Sequence, residues 1–182
     1  MIASITSIDL AILDSLYAVR DPALVQIFIW VSELASTTTV AGLSAIVLIV
    51  LAYRKRWALA AGLATSVFGS AAGTLILKEL AARPRPSRDF AAYVETGFSF
   101  PSWHATGVVA LYGFLLWMMW EKLSPSRRKI KIVAVAIIIL LVGFSRPYLG
   151  VHYVSDVLAG YLLGTAFLWI GINVTKRLRW GQ

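Results

Sequence analysis

Two histidines are the first candidates for chemistry, because the chain of 182 residues has no cysteine and no other imidazole. His152 and Asp156 lie four residues apart and share one face of a helix. There the carboxylate can accept a hydrogen bond from one ring nitrogen and leave the other free. This spacing predicts that His152 is a nucleophile. His104 opens another apolar segment and is suited to protonate a leaving alkoxide and later deprotonate a water.

Basic side chains from other parts of the chain predict a binding site for an anion. Lys78, Arg85 and Arg146 lie near the ends of different apolar segments. In one cavity they would repel one another, and an anion of about two negative charges, such as phosphate, would relieve the repulsion. Ser102 adds a hydroxyl donor, and the prolines of residues 83–86 predict a stiff loop that arches over the cavity.

Metal chemistry is not expected at this site. The absence of cysteine and the presence of two histidines exclude thiolate and His-rich metal sites. No cluster of three carboxylate or histidine ligands lies beside the candidate residues in the sequence. We therefore predict a reaction without a metal ion or another cofactor.

The composition indicates a membrane protein, since 59% of the residues are apolar and 14% are charged. Five runs without acidic or basic residues other than histidine predict five transmembrane helices. These runs are Leu34–Tyr53, Trp57–Leu77, Pro101–Trp120, Ile132–Ser145 and Val157–Thr175. We expect an all-α bundle that forms a single membrane-embedded domain over residues 1–182.

The N-terminal residues predict an interfacial amphipathic helix ahead of the bundle, with a sixth, marginal span as the alternative. Asp9 and Asp14 interrupt its apolar face, and the first basic residue is Arg20, so no cleavable signal peptide is predicted. The apolar residues recur at intervals of three and four: Ile2, Ile5, Ile8, Ile12 and Leu16.

The net charge of +8 would suggest a nucleic-acid partner for a soluble chain, but membrane topology explains it better, so no such partner is expected. Five spans place eleven basic residues on one side and six on the other. The richer side is predicted to be cytoplasmic, and Tyr53, Trp57, Trp120 and Trp180 flank its basic clusters as an aromatic belt would. Both histidines then face away from the cytoplasm at the cytoplasmic (inner) membrane.

The order and spacing of the candidate residues resemble the signature of the type-2 phosphatidic acid phosphatase family of membrane lipid phosphatases, which is shared with vanadium haloperoxidases. Three motifs carry this resemblance: Lys78 followed after six residues by Arg85-Pro86, then Pro101-Ser102-Trp103-His104, then Ser145-Arg146 followed after five residues by His152 and after three more by Asp156.

The resemblance implies a role for each residue. His152 would become phosphohistidine, Asp156 would orient it, and His104 would act as acid and then as base. The residues that would hold the phosphoryl oxygens are Lys78, Arg85, Ser102 and Arg146. Members of the family need no metal.

Position 103 departs from this signature, which usually has glycine between the serine and the histidine. Trp103 can still offer its backbone N–H to a phosphate if its φ is negative. We expect an ordinary backbone there, with the ring at the cavity mouth against lipid or a neighbouring helix, where it influences the choice of substrate.

Other polar and small residues receive simpler interpretations. Arg83 and Arg88 are interpreted as solvated loop charges or headgroup contacts, and Glu79 and Asp89 are assigned no role. The small-residue pairs Gly69–Gly73 and Gly160–Gly164 are interpreted as close contacts within one bundle rather than as a dimer face.

The predicted function is removal of the terminal phosphate of a lipid in the bilayer. By resemblance, the substrate is a phospholipid monoester such as phosphatidylglycerol phosphate or phosphatidic acid, a polyprenyl diphosphate, or the phosphate of lipid A. Two other classes stay open: a vanadate-dependent oxidoreductase, against which the five spans argue, and a non-catalytic lipid or anion binder. No feature of the sequence predicts an oligomeric state.

Overall fold

The computed structural model describes residues 2–87, 89–120 and 123–180, with side chains from residue 6 to residue 179, and these residues form seven α-helices. The helices are α1 (Ile2–Ala18), α2 (Pro22–Glu33), α3 (Thr37–Tyr53), α4 (Trp57–Ala81), α5 (Trp103–Met119), α6 (Pro125–Tyr148) and α7 (Val154–Trp180). Arg88 and Lys122, which entered the topology prediction, lie outside the described residues, as does the side chain of Trp180.

The prediction of an all-α membrane bundle is confirmed. Residues 22–53, 57–81, 125–148 and 154–179 form four stretches long and apolar enough to cross a membrane, and α5 is a shorter apolar helix of 17 residues. The predicted run of 14 residues at 132–145 lies within α6, which has 24 residues. At the end of the bundle opposite His104 and His152, Tyr53 and Trp57 are exposed, as a membrane-interface belt requires.

Glycines bring α7 into backbone contact with α4 and α5. A Cβ added to Gly171 would lie 2.5 Å from the carbonyl oxygen of Gly62 in α4, and one added to Gly164 would lie 2.6 Å from the carbonyl oxygen of Thr106 in α5. Added Cβ atoms would also clash at the predicted small-residue positions Gly69, Gly73 and Gly160. These contacts support the interpretation of the small residues as close packing within the bundle.

Helix α2 was not predicted, because its apolar run is too short for a span and ends at Glu33. Asp21 caps it by accepting from the backbone N–H groups of residues 23 and 24, and Pro22 occupies its first turn. This Asp-Pro pair is a helix start signal that could have identified α2. Phe28 packs α2 against α6, with its ring centroid 4.8 Å from that of Tyr148.

Helix α1 is present, but its inward face differs from the predicted apolar stripe. Asp9 and Leu13 are buried, whereas Ile8 and Ile12 are exposed. The description of Asp9 as an interruption of an apolar face was therefore wrong. The carboxylate points into the protein because Arg83 and Ser155 satisfy it there.

Candidate active site

The ends of four helices meet where the three sequence motifs lie. A cavity of about 380 Å³, here called the histidine cavity, is lined there by the C-terminal part of α4, the N-terminal ends of α3 and α5, the loop between α4 and α5 and the turn that joins α6 to α7. Both histidines, Lys78, Arg85 and Trp103 line it. The exposed residues of its lining are Thr37 of α3, Leu75 of α4 and Thr96 of the loop, so the cavity is open between α3 and α4 and also beside the loop.

His152 is oriented between a carboxylate and an arginine. Its Nδ1 lies 3.4 Å from Asp156 Oδ2, and its Nε2 lies 3.1 Å from Arg85 Nη1. Arginine can only donate, so Nε2 is the acceptor and Nδ1 carries the proton that faces Asp156. The lone pair of Nε2 therefore points towards the cations of the cavity, where it accepts from Arg85, and this unprotonated nitrogen is the one that can act as a nucleophile.

Asp156 is itself held by groups from two parts of the chain. Its Oδ1 accepts from Arg83 Nη1 at 2.7 Å and its Oδ2 accepts from the backbone N–H of Tyr153 at 3.0 Å. Arg83 Nη2 donates to Asp9 Oδ2 at 2.8 Å, which ties α1 to this network. The interpretation of Arg83 as a solvated loop charge was wrong, because its side chain is 20% exposed and is shared between two buried carboxylates.

The ion pairs also determine the protonation of Arg83. Burial alone would lower the pKa of Arg83, but the hydrogen bond to Asp9 and the charges of both carboxylates raise it above its ordinary value. The guanidinium further lies over the ring of Tyr153, 4.0 Å from the centroid. Arg83 thus contacts Tyr153 and Asp156 at the start of α7 and links them to Asp9 of α1.

Glu95, for which the sequence predicts no role, lies at the centre of the cationic cluster. Arg146 is fully buried at the end of α6, and its Nη2 is 2.7 Å from both carboxylate oxygens of Glu95. Arg85 Nη1 lies 2.7 Å from Glu95 Oε2, and His152 Nε2 lies 3.7 Å from the same oxygen. No local pattern marks this glutamate, since its partners are 10 to 57 positions away in the sequence.

Burial and neighbouring charges set the ionisation states of Glu95 and His152. Burial alone would raise the pKa of Glu95, but the positive charges of Arg146 and Arg85 hold it below its usual range. Burial and the charge of Arg146 keep the pKa of His152 well below its ordinary value, although Glu95 acts in the opposite direction. The glutamate is therefore an anion and the imidazole is neutral at neutral pH.

Unpaired donors lie at the start of α5, next to the cavity-lining residues Trp103 and His104. Ser102 is the N-cap of α5, yet its side chain makes no capping bond, and its buried Oγ has no partner among the described residues. Its backbone N–H donates to the carbonyl oxygen of Asp156 at 3.0 Å, which locks the start of α5 against α7. The first turn of α5 carries His104 and presents free N–H groups of the kind that bind phosphate.

Trp103 has the ordinary backbone that was expected, since only Lys55 and Ala82 have a positive φ among the described non-glycine residues. Its ring lies along its own helix, and a Cβ added to Gly107 would lie 3.3 Å from the Cζ2 atom of the indole. The ring lines the histidine cavity and also packs against the apolar core around Val40 of α3.

All eight residues selected from the sequence lie together around the histidine cavity or within its supporting contacts. Lys78 donates to the carbonyl oxygen of Phe98, and its ammonium group lines the cavity beside Arg85. The selected residues are Lys78, Arg85, Ser102, Trp103, His104, Arg146, His152 and Asp156. Their convergence from helices far apart in the sequence is what a site for a phosphoryl group requires.

Comparison with known proteins finds membrane phosphatases that are similar to this chain over most of its length. The curated phosphatidylglycerophosphatase B of Bacillus subtilis is 33% identical over 97% of this chain and 87% of its own length. A crystal structure of a transmembrane PAP2-type phosphatidylglycerolphosphate phosphatase from the same organism has a similar fold, with a TM-score of 0.85 and 29% sequence identity. The match covers 96% of this chain and 87% of the chain in that structure. Aquifex aeolicus LpxE shares the fold at a TM-score of 0.72 and 23% identity, over 90% of this chain and 94% of its own.

The family model of the PAP2 superfamily matches residues 55–180, which include every motif residue from Lys78 to Asp156. This match covers more than half of the chain, and it agrees with the relative that is similar over nearly the full length. The chain therefore belongs to the PAP2 superfamily.

Proposed function

We propose that this chain removes the terminal phosphate of a membrane lipid through a phosphohistidine intermediate on His152. The chain is a membrane lipid phosphatase, because it belongs to the PAP2 superfamily and is similar over nearly its full length to phosphatases of that superfamily. The observation that carries the mechanism is the pairing of His152 with Asp156 on one side and with the cations of the cavity on the other.

In the first step, Nε2 of His152 attacks the phosphorus atom and the bond between phosphorus and the lipid oxygen breaks. Lys78, Arg85 and Arg146 stabilise the negative charge of the phosphoryl oxygens, together with Ser102 Oγ and the N–H groups at the start of α5. Asp156 stabilises the imidazolium by accepting from Nδ1. These protein cations supply the positive charge, so the reaction needs no metal ion.

His104 acts as a general acid in the first step and as a general base in the second. It donates a proton to the leaving oxygen of the lipid, which would otherwise depart as an unstable alkoxide. It then takes a proton from the water that attacks the phosphohistidine, so the bond between phosphorus and Nε2 breaks and inorganic phosphate is released. His152 returns to the neutral form in which it began.

Phosphatidylglycerol phosphate, a phospholipid monoester, is the proposed substrate to test first, because the similar Bacillus subtilis enzyme is named for it. The sideways opening between α3 and α4 would admit a headgroup while the acyl chains remain in the bilayer. Phosphatidic acid, polyprenyl diphosphates and the phosphate of lipid A are the other members of the test panel.

We place the site on the outer face of the cytoplasmic membrane. The uneven distribution of basic residues supports this orientation, because the clusters at residues 54–56, 127–131 and 176–179 lie at the end of the bundle away from the histidines. The whole chain, from α1 to α7, acts as one unit in this proposal.

The test measures phosphate release from short-chain forms of these lipids by the purified protein in detergent, with and without a chelator. We expect release that is insensitive to chelation, is inhibited competitively by vanadate and is abolished in His152→Ala. His104→Ala should retain the first step on a substrate with a good leaving group and accumulate acid-labile phosphoenzyme. Full activity in His152→Ala would disprove the mechanism.

A further inference from the structure

Helix α1 reaches the active site through a carboxylate. Among its described side chains, from residue 6 to residue 18, only Asp9 and Leu13 are buried. Burial of a carboxylate is unfavourable unless it is paired, and even a buried ion pair is often no more stabilising than apolar packing. A helix that only attached itself to the bundle would bury apolar side chains at both positions. The carboxylate of Asp9 therefore indicates a role other than attachment.

Asp9 holds the first turn of α7 directly. Its Oδ1 accepts from the backbone N–H of Ser155 at 3.1 Å, and its Oδ2 accepts from the hydroxyl group of the same serine. The N–H groups in the first turn of a helix have no partner within that helix, so the carboxylate from α1 acts as a cap for α7. Asp156 follows Ser155 in this turn, so these bonds fix the backbone that carries the catalytic carboxylate.

A second link runs from Asp9 to the carboxylate of Asp156. Arg83 donates from Nη2 to Asp9 Oδ2 at 2.8 Å and from Nη1 to Asp156 Oδ1 at 2.7 Å. Its Nη1 also donates to Ser155 Oγ at 2.7 Å, so Asp9, Arg83 and Ser155 form a closed ring of contacts. Removal of the charge of Asp9 weakens the acceptor that holds one end of the Arg83 guanidinium and both donors of Ser155.

The contact that this ring supports is sensitive to small displacements. Asp156 Oδ2 lies 3.4 Å from Nδ1 of His152, which is long for a hydrogen bond. In the proposed first step His152 becomes an imidazolium, and Asp156 must then accept from its Nδ1. A small shift of the first turn of α7 therefore makes or breaks the bond that stabilises the phosphorylated histidine.

We propose that Asp9 is a positioning residue for the phosphatase reaction. It holds Arg83 and Ser155 from α1. Through these two side chains it sets the distance between Asp156 and His152. The proposal rests on the proposed function of the site. It assigns α1 a part in the reaction, although this helix precedes the segment that the family model matches.

The test compares Asp9→Asn with Asp14→Asn, the same change on an exposed residue of α1. Rapid quenching in base measures the rate at which phosphohistidine forms from saturating dioctanoyl phosphatidic acid in a single turnover. We expect Asp9→Asn to form it about tenfold more slowly, because the bonds to Asp9 lose their charged acceptor, and Asp14→Asn to keep the rate. The Kd of orthovanadate should stay within about threefold in both variants, since Asp9 is not among the described residues that line the histidine cavity.

An attachment role alone would give a different result. If Asp9 only attached α1 to the bundle, Asp9→Asn would lower Tm but leave the rate per vanadate-binding site within about threefold of the unchanged protein, and this result would overturn the proposal. Should Asp9→Asn fail to fold, Ser155→Ala provides the test, because it leaves both ion pairs of Arg83 in place. Ser155→Ala should slow phosphohistidine formation about fivefold, and a rate within about twofold would overturn the proposal.

Failure of the proposed function can be distinguished from failure of this proposal. If the unchanged protein forms no phosphohistidine, the proposed function fails, but hydrogen exchange still measures how firmly Asp9 holds the start of α7. Exchange in peptides that cover residues 153–158 should be faster in Asp9→Asn than in Asp14→Asn, because the N–H of Ser155 loses its charged acceptor. Equal exchange in the two variants would overturn the proposal.

Discussion

Replacing Arg83 with methionine should reveal how strongly the catalytic carboxylate depends on its support. The side chain donates to two carboxylates, Asp9 at 2.8 Å and Asp156 at 2.7 Å, both almost fully buried. Methionine keeps much of the apolar stem but removes the charge, so both carboxylates lose their ionic partner. Asp156 then retains the N–H of Tyr153 and its contact with His152.

The size of the effect follows from these contacts. A hydrogen bond to a charged group contributes about 1.5–3 kcal/mol. If Asp156 orients His152 less well and the activation free energy rises by this amount, kcat falls roughly 10- to 150-fold. Breaking a buried ion pair costs about 3–5 kcal/mol of stability. We expect about 3 kcal/mol, because Asp9 keeps its bonds from Ser155. For a chain of this length this lowers Tm by roughly 6–12 °C.

The assay is phosphate release from a short-chain lipid phosphate, with kcat and KM determined separately and Tm recorded in the same detergent. Arg83 is not among the described residues that line the histidine cavity. The KM of Arg83→Met should therefore stay within about threefold of that of the unchanged protein. Arg83→Lys should recover part of kcat and most of the stability, and Arg54→Met, at the opposite end of the bundle, should change neither. The reasoning fails if Arg83→Met keeps kcat within twofold, or if its loss lies in KM alone.

Three further predictions concern the nucleophile, the unusual tryptophan and the topology. Burial and the charge of Arg146 hold the pKa of His152 below the ordinary histidine value of 6.5 and so preserve its neutral form. As the pH is lowered, kcat/KM, corrected for ionisation of the substrate, should therefore stay constant to below pH 6.5. A fall that begins above pH 6.5 would contradict this. Trp103→Gly should keep kcat on its best substrate within about tenfold, ~1.4 kcal/mol of barrier, while it changes the ranking of headgroups. Ser102→Ala should slow every substrate, and a uniform loss or gain in Trp103→Gly would argue against a role of the ring in selection. A single cysteine at Ser87 should react with an impermeant maleimide in intact cells and one at Ser126 only after lysis; the reverse pattern would move the site to the cytoplasmic leaflet.

The sequence predicts those parts of the molecule that are marked by a continuous apolar run or by a motif of fixed spacing. Long apolar runs mark the spans, and motif spacing brings His104, Lys78 and Arg146 to one site, because helix ends converge wherever a bundle reverses direction. Asp9 was misinterpreted because its partner Arg83 lies 74 residues away, and no spacing rule joins two single charges over that distance. Glu95 lies in irregular backbone, where no periodicity of the sequence indicates which residues a side chain contacts. Its contacts with Arg85, Arg146 and His152 could therefore be found only from the structure.

The glycine contacts described above divide the bundle into a part that tolerates substitution and a part that does not. Any side chain at Gly62, Gly164 or Gly171 would push a backbone carbonyl aside and shift α7 against its neighbours. Helix α3 has no such contact: Ile46 and Ile49 face outward, and a Cβ added to Gly42 would meet no atom within 4 Å. Substitutions on the α3 side of the histidine cavity, which Thr37 lines, can therefore reshape its wall while α7 keeps its position against α4 and α5.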